Sequence, residues 1–369
     1  MWRSYAEKHD YLTKPRRSLI GSYSGEKILL TTPLLKWYLE HGLEVSEIFQ
    51  VVEYTAHPCF KDFGETVAEA RRQGVGLLAI LADTFKLLGN SAYGKTITDK
   101  ERHVDVKFPE EREVPKLVRE PRFKQINEVC DDVYEVTMAK KILTLDLPSQ
   151  IGFFVYQYAK LRMLEFYYDF LDKYVDRSDF EYVEMDTDSA YIALSGPTLE
   201  SVLKPDKVDE FYEEREKWLP SDYCAAHKAE FKTTEQAGLA WTRADDEAEN
   251  YCAECRKSHL FTKRTPGLFK MEWQGKGMIA PCSKTYYGFG DDGDDKVSAK
   301  GIVKHQNDLN PQKFLDVIVN RMAARADNYG FRVQGNQMYS YSQRRDALTY
   351  LYVKRKVGAD NVSTLPLDI

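Results

Sequence analysis

The chain has 369 residues, a net charge of −6, 43% hydrophobic and 30% charged residues. That length and apolar content suit two or three domains or one elaborated fold, and they exclude a disordered chain. The net acidity excludes a uniformly basic nucleic-acid binder, so any such binding must come from local fields. Residues 1–20 hold no continuous apolar run, and no stretch of about 18 or more apolar residues exists. With only six cysteines in so long a chain, no disulfide framework is expected. These features predict an intracellular protein with no membrane partner.

Residues 1–25 read as polar and irregular, with a basic spot at Lys14-Pro15-Arg16-Arg17. Lys27 to Thr31 reads as a strand. Thr32 then caps a helix with Pro33 at its first position, Gly42 ends it, and Glu47 to Tyr54 reads as a second strand. Phe60 to Gln73 and Leu77 to Tyr93 read as helices joined by Gly74-Val75-Gly76, a helical hairpin. At about 100° per residue, Leu77, Leu81, Phe85, Leu88 and Ala92 share the face expected to pack. Lys86, Asn90 and Tyr93 share the opposite one, which presents an ammonium, an amide and a phenol in a row.

Residues 97–135 read as charged and loop-like, with a short helix near Val114 to Arg119. Residues 148–174 read as a long, mostly apolar core helix. Phe180 to Val183 and Ala190 to Leu194 are rich in β-branched and aromatic residues and read as the strands of a tight hairpin. Its turn, Glu184-Met185-Asp186-Thr187-Asp188-Ser189, holds two carboxylates one residue apart. Two readings stand at this point: an ordinary Asp-rich turn, or a cation site.

Residues 197–265 combine acidic helices with Cys224-x2-His227 and Cys252-x2-Cys255. The types and local spacing suit a tetrahedral Zn²⁺ site. The other reading is a polar insertion with scattered Cys and His, and His259 competes as a ligand. Gly267 to Trp273 and Met278 to Phe289 read as strands, with a solvated acidic turn at Asp291 to Asp295 leading to Lys296–Val303. Pro311 to Ala326 reads as an amphipathic helix. From Gly330 onward the chain is basic and tyrosine-rich, with a strand-like patch at Met338 to Tyr341 and a helical or strand segment through Leu348 to Val353.

Three short motifs occur in a telling order. Lys86-Leu87-Leu88-Gly89-Asn90-Ser91-Ala92-Tyr93-Gly94 matches K-x3-N-S-x-Y-G, Asp186-Thr187-Asp188-Ser189 matches D-T-D-S, and Lys284-Thr285-Tyr286 matches K-x-Y. Together they resemble the fingers motif, a palm motif and the palm–thumb junction motif of the family B DNA polymerases. The style is closest to the viral, organellar and transposon (Polinton-like) branch, which is similar to protein-primed polymerases.

The resemblance implies an α+β fold: an antiparallel palm sheet with packed helices, helical-hairpin fingers and a small C-terminal thumb. Residues 1–56 would be partial palm with an N-terminal extension, and 57–95 fingers. Residues 96–200 would be palm, with an insertion-like segment at 97–135. Then come the acidic Cys/His insertion at 201–265, the palm–thumb junction at 266–303 and the thumb at 304–369. The implied activity is DNA-templated DNA synthesis by two-metal nucleotidyl transfer, on a DNA primer-template with dNTP. A terminal-protein primer and a nuclear, viral or organellar replication site would suit the branch.

Within it, Asp186 and Asp188 would be the catalytic ligands of Mg²⁺, a hard ion that wants carboxylate oxygens. Lys86, Asn90 and Tyr93 would bind the nucleotide. Ser91, Gly94, Thr187, Ser189, Lys284 and Tyr286 would border the DNA, and Arg344, Arg345, Lys354 and Arg355 would touch duplex phosphates. Such fingers offer a further basic residue to the phosphates upstream of the lysine, and here Arg71 or Arg72 must serve or the contact is lost.

The pattern also departs from the family. Its first palm motif, D-x-x-S-L-Y-P, supplies a third carboxylate. Asp10, Asp62 and Asp83 are the aspartates before Lys86, and none has that context. A 3′–5′ exonuclease is absent too. The expectation is therefore the C-terminal part of a polymerase, inactive alone. The alternatives are a catalytically dead nucleic-acid-binding remnant and a zinc-containing interaction module.

Overall fold

The computed structural model describes residues 25–73, 79–130, 133–221, 253–262, 265–282, 284–299, 302–334, 337–349, 355–357 and 364–366. Among them the fold is α+β, with all strand pairs antiparallel and gathered in small sheets. No helix among the described residues is long and apolar enough to cross a membrane.

A long helix organises the middle of the molecule. Helix α5 (Ser149–Glu165) runs into a π-helical turn at Phe166–Leu171 and one last turn at Asp172–Tyr174, as its sequence predicts. Its second half supplies Phe166, Tyr167, Phe170, Leu171 and Tyr174 to the largest core, with Phe211 and Trp218 from beyond the hairpin. The rings of Phe166 and Phe269 stack 4.0 Å apart, and Phe170 stacks on Trp218 at 5.3 Å. Arg162 rivets two connecting segments to this helix. Its guanidinium lies 4.0 Å from the Trp218 ring centroid and donates to the Gly267 and Lys217 carbonyls.

Helix α1 (Thr32–Glu40) packs Leu34, Trp37 and Tyr38 against Leu164. Its N-cap is Thr31, one residue earlier than the sequence suggests, and the Thr31 side chain makes no capping bond. Gly42 follows the helix with φ +86°, a conformation glycine adopts without strain. Asp169 locks the helix to the π-turn, accepting from Trp37 Nε1 and bonding His41 Nε2, each at 2.8 Å.

Neither flanking segment is a strand. Lys27–Thr31 and Glu47–Tyr54 run without ladder partners, and Ile28, Leu29, Ile48, Phe49, Val51 and Val52 are exposed. In the second segment the apolar residues come as adjacent pairs, so no single face of a pleat gathers them.

Helices α2 (Lys61–Gln73) and α3 (Ala79–Thr96) pack along each other as the sequence predicts. The packed face is only partly the one read: Phe85 and Ala92 are half-buried, Leu81 and Leu88 are exposed, and Leu77 lies outside the described residues. Between them Gly89 faces the buried Val67, where a Cβ would come within 3.2 Å of Val67 Cγ1. A glycine contact rather than a leucine ridge sets this approach.

The segment read as charged loop is a module of its own. Strands β1 (Val104–Lys107), β2 (Phe123–Cys130) and β3 (Val133–Ala139) form a sheet in the order β1-β3-β2, closed by helix α4 (Val114–Val118) over Leu117, Val136 and Met138. Its charges lie on the outer face of short strands, which hides the alternation.

Strands β4 (Phe180–Asp186) and β5 (Ser189–Leu194) form the predicted hairpin. Beyond it, helix α6 (Val208–Glu214) brings Phe211 to the core and helix α7 (Ala253–Thr262) follows. Residues 267–273 are not a strand but an irregular wall in no ladder, tied by the Phe269 N–H to the Trp218 carbonyl. Met278 to Phe289 is two strands, β6 (Gly275–Cys282) and β7 (Thr285–Gly290), with β8 (Lys296–Ser298) completing the sheet. Trp273 covers this sheet's glycines: a Cβ at Gly288 would come 2.7 Å from Trp273 Cη2. The acidic turn has a structural anchor, because Asp295 accepts from Tyr287 Oη at 2.6 Å and Gly290 N–H at 3.0 Å.

Helix α8 (Pro311–Val319), capped by the Asn310 side chain, ends before Ala326 because β9 (Ala324–Gln334) begins there. Strand β9 pairs with β10 (Gln337–Leu348) in a long ribbon that includes the predicted Met338–Tyr341 strand. Strands β11 (Arg355–Val357) and β12 (Thr364–Pro366) pair beyond it.

The crossing of α3 over α5 depends on Gly152. A Cβ there would overlap Ile97 Cγ2 and come within 2.8 Å of Thr96 Oγ1. Gly152→Ala is expected to destabilise the protein by about 1–3 kcal/mol in urea unfolding. Gly64→Ala, on α2 with open space around it, is expected to stabilise by up to about 1 kcal/mol.

Candidate active site

The period-two pattern of β4 decides what its acids face. Phe180 is buried and Tyr182 half-buried at the base of the hairpin. A bulge at Val183 then resets the register so that Glu184 pairs with Tyr191. Glu184 is 7% exposed and Asp186 lies two residues on, on the same face. The turn itself is tight: the Asp188 N–H donates to the Asp186 carbonyl around Thr187, which has φ +50°. This is a γ-turn with a left-handed threonine, a strained geometry of the kind that clusters at functional sites.

The turn between β6 and β7 meets that acidic face. Lys284 has φ +65°, and its backbone N–H donates to Glu184 Oε1 at 3.0 Å. Its carbonyl accepts from Ser298 Oγ at 3.0 Å. Its Nζ lies 3.1 Å from Asp186 Oδ2, and the hydrogen bond and charge of Asp186 hold the ammonium pKa above the ordinary lysine value. One strand further, Tyr191 and Tyr286 share a hydrogen bond of 2.8 Å. Burial, followed by that hydrogen bond, pushes the Tyr286 phenol up to about 12.

These elements open onto one groove of about 2510 Å³. Of the residues that the sequence singles out, Lys86 and Asn90 of α3, Asp186, Asp188 and Ser189 of the hairpin, and Lys284 and Tyr286 of the β6–β7 sheet all line it. Tyr93 is half-buried against Tyr156, ring centroids 6.2 Å apart, with Asp188 and Lys284 close enough to act on its phenol. Its pKa is raised, first by burial and then by the neighbouring Tyr156.

Ser91 and Gly94 on α3 and Thr187 at the tip lie outside the groove lining. Arg344 and Arg345 lie on β10, opposite Asp327 and Ala326, and Arg355 lies on β11; Arg344 does not line the groove. Lys354 lies outside the described residues, as do Cys224, His227 and Cys252. Cys255 is buried on α7.

Of the two arginines at the end of α2, Arg71 lines the groove. Arg72 is taken up elsewhere, over the Phe261 ring at 4.2 Å and on Glu69 at 3.4 Å. Sequence reasoning missed Glu184, Tyr191, Lys270, Glu272, Trp273 and Lys296, which also line the groove. Glu272 bonds Lys270 at 2.7 Å, and that contact, followed by the charges of Lys270, Lys296 and Lys86, holds its carboxyl below the ordinary range. The available signal was the mixed Lys/Glu run at 270–272, which a strand reading sends to solvent.

The donor set limits what the turn can hold. Among the described residues, no group of three or more His, Cys, Asp or Glu side chains is placed to hold a metal ion. Glu184 is spent on the Lys284 N–H, and the lysine ammonium stands on Asp186. By themselves these residues do not fit a two-ion centre.

The raised Tyr286 value has a signed consequence. The neutral phenol is favoured in the folded state, so its contribution to stability is complete below about pH 10 and is lost as pH rises through about 12. Tyr286→Phe is expected to flatten the fall in stability across that window, measured by denaturation at stepped alkaline pH.

Comparison of the chain with models of known protein families, with curated proteins and with solved structures finds no match.

Proposed function

We propose that this chain is the palm, fingers and thumb portion of a family B-like DNA polymerase, and that its groove receives a primer-template and an incoming dNTP. The observation that carries the reading is the convergence of three segments far apart in sequence. Lys86 and Asn90, Asp186 to Ser189, and Lys284 and Tyr286 meet on one groove. In this reading Lys86, with Arg71 on the same groove, meets the triphosphate as a point charge. Asn90 and Tyr93 border the nascent base pair. Lys284 and Tyr286 hold the primer strand, and Arg344, Arg345, Lys354 and Arg355 touch duplex phosphates.

Asp186 and Asp188 are the acids this reading assigns to cation binding. The third carboxylate of the family has no counterpart in this sequence, and the residues present do not fit the two-ion centre. The reading is therefore of a primer-template binding module whose chemistry needs a carboxylate from elsewhere. The ion pair of Lys284 with Asp186 favours a second reading, a remnant that binds nucleic acid without catalysis.

The test is binding and extension of a fluorescent primer-template by the 369-residue protein with Mg²⁺ and dNTP. Salt-sensitive binding without extension is expected, and Lys86→Ala is expected to weaken dNTP-dependent retention of the complex by about tenfold. Absence of primer-template binding at low salt removes the polymerase reading. Robust extension that is lost in Asp188→Ala shows that the acidic pair suffices.

A further inference from the structure

Residues 44–60 are exposed along their whole length, and residues 43–58 run with no helix, turn, bend or ladder. Residues 45–56 make no hydrogen bond to any described residue, so their backbone donors and acceptors face water. Two ring contacts nevertheless place the segment. Lys27 Nζ lies 5.9 Å from the Phe49 ring centroid, and the Tyr54 ring lies 5.1 Å from that of Phe154 on α5. The apolar content is out of keeping with this exposure. Val51 is 79% and Val52 67% exposed, with Ile48 and Phe49 exposed beside them. Consecutive apolar residues of this kind suit a strand covered on both faces. An open, apolar, β-prone edge is also a template for one more strand.

We propose that residues 45–56 accept a strand from another polypeptide, a basic and apolar extended segment that adds to them by backbone pairing. In that mode main-chain bonds give affinity and alternate side chains give specificity. Charge selects the partner. Between Lys36 and Lys61 the chain holds Glu40, Glu44, Glu47 and Glu53 and no lysine or arginine, and Lys27 is occupied over Phe49. In a pleat, Glu47, Phe49, Val51 and Glu53 fall on one face, and Ile48, Gln50, Val52 and Tyr54 on the other. A strand laid alongside meets a carboxylate near each end of one face and apolar side chains between them. The matching segment carries two cations at the spacing of Glu47 and Glu53, around a β-branched centre. A nucleic acid does not fit, because its phosphates meet only acids here. A second copy fits poorly, because it brings glutamates against glutamates. The inference is independent of what the groove binds.

The test uses a fluorescein-labelled synthetic peptide, SKIVTVIKS, with the full 369-residue protein at low salt. Two control peptides accompany it: SEIVTVIES, with the charge reversed, and SKIPTPIKS, which keeps the charge but loses backbone donors. Fluorescence anisotropy is expected to show SKIVTVIKS bound about tenfold more tightly than either control. Hydrogen exchange at residues 45–56 is expected to slow when SKIVTVIKS is added, because ladder pairing protects amides. The double variant Glu47→Lys, Glu53→Lys is expected to reverse the preference between SKIVTVIKS and SEIVTVIES. Both positions are exposed, and matching thermal melts ensure that folded proteins are compared. Absence of SKIVTVIKS binding overturns the proposal, as does equal binding of SKIVTVIKS and SEIVTVIES. Equal binding of SKIPTPIKS overturns the backbone pairing. Protection confined to residues outside 45–56 places the peptide elsewhere and overturns it too. Sedimentation of the protein alone is expected to give a monomer; a dimer that protects residues 45–56 makes a second copy the occupant and overturns the proposal. Primer-template binding is scored separately, and its loss removes the polymerase reading while leaving the peptide result to stand.

Discussion

The turn that carries Asp186 and Asp188 stands on Tyr167. A two-stranded hairpin is marginal in water by itself, and β4–β5 has no third strand among the described residues. Its base is closed by Phe180 and Tyr182, whose ring centroids lie 5.5 Å and 5.0 Å from that of Tyr167. Tyr167 belongs to the π-turn, and so does Asp169, which holds Trp37 and His41 of α1. Phe170, one residue further, stacks on Phe211 and Trp218. Aromatic contacts of this kind contribute about 0.5–1.5 kcal/mol each beyond the area they bury. The hairpin is thus anchored through its base to the helix beneath it.

Along the hairpin the chemistry changes from apolar to ionic within seven residues, and Glu184 marks the change. A buried carboxylate is costly unless its oxygens find donors. The Lys284 N–H is one such donor, which makes the burial of Glu184 and the fold of the β6–β7 turn a single arrangement. Both facing turns contain a non-glycine residue with positive φ, Thr187 and Lys284. Strain is therefore held on both sides of the ion pair, and the packing at the hairpin's base resists its release.

The sequence made some of this legible and hid the rest for identifiable reasons. Helices α2, α3 and α5 and the β4–β5 hairpin have strong periodicity and sharp punctuation, and they form as read. The convergence of Lys86, Asp186 and Lys284 on one groove was approachable through motif order, because short patterns that recur together imply a shared site. The packed face of α3 was legible at Phe85 and Ala92 but not at Gly89, which meets Val67 of α2, since glycine carries no hydropathy signal. The strands of 104–139 were hidden by charges on their outer faces. The reverse error occurred at Glu47–Tyr54 and Gly267–Trp273, where β-prone residues exist but no neighbouring strand pairs with them. Propensity describes a strand's willingness to pair, whereas a sheet needs a second chain segment at the right place. Glu184 looked like a flanking acid because nothing local reveals that a backbone N–H 100 residues away will bury it.

The wall at 265–274 gives the groove a mechanical character. It lines the groove together with the acidic hairpin and touches it through Trp273 and Tyr191, ring centroids 5.9 Å apart, yet it belongs to no sheet. Discrete fasteners hold it: the Phe269 N–H on the Trp218 carbonyl, the Gly267 carbonyl on Arg162, the Trp273 indole on the Asp294 carbonyl and the Gln274 amide on the Pro197 carbonyl. A ladder yields cooperatively, whereas separate fasteners yield one at a time. Arg162 projects from the same helix that carries the hairpin's aromatic footing. Phe269 of the wall also stacks on Phe166 of that helix's continuation, so both sides of the groove share one support, and a change that shifts this helix would move the acids and the wall together.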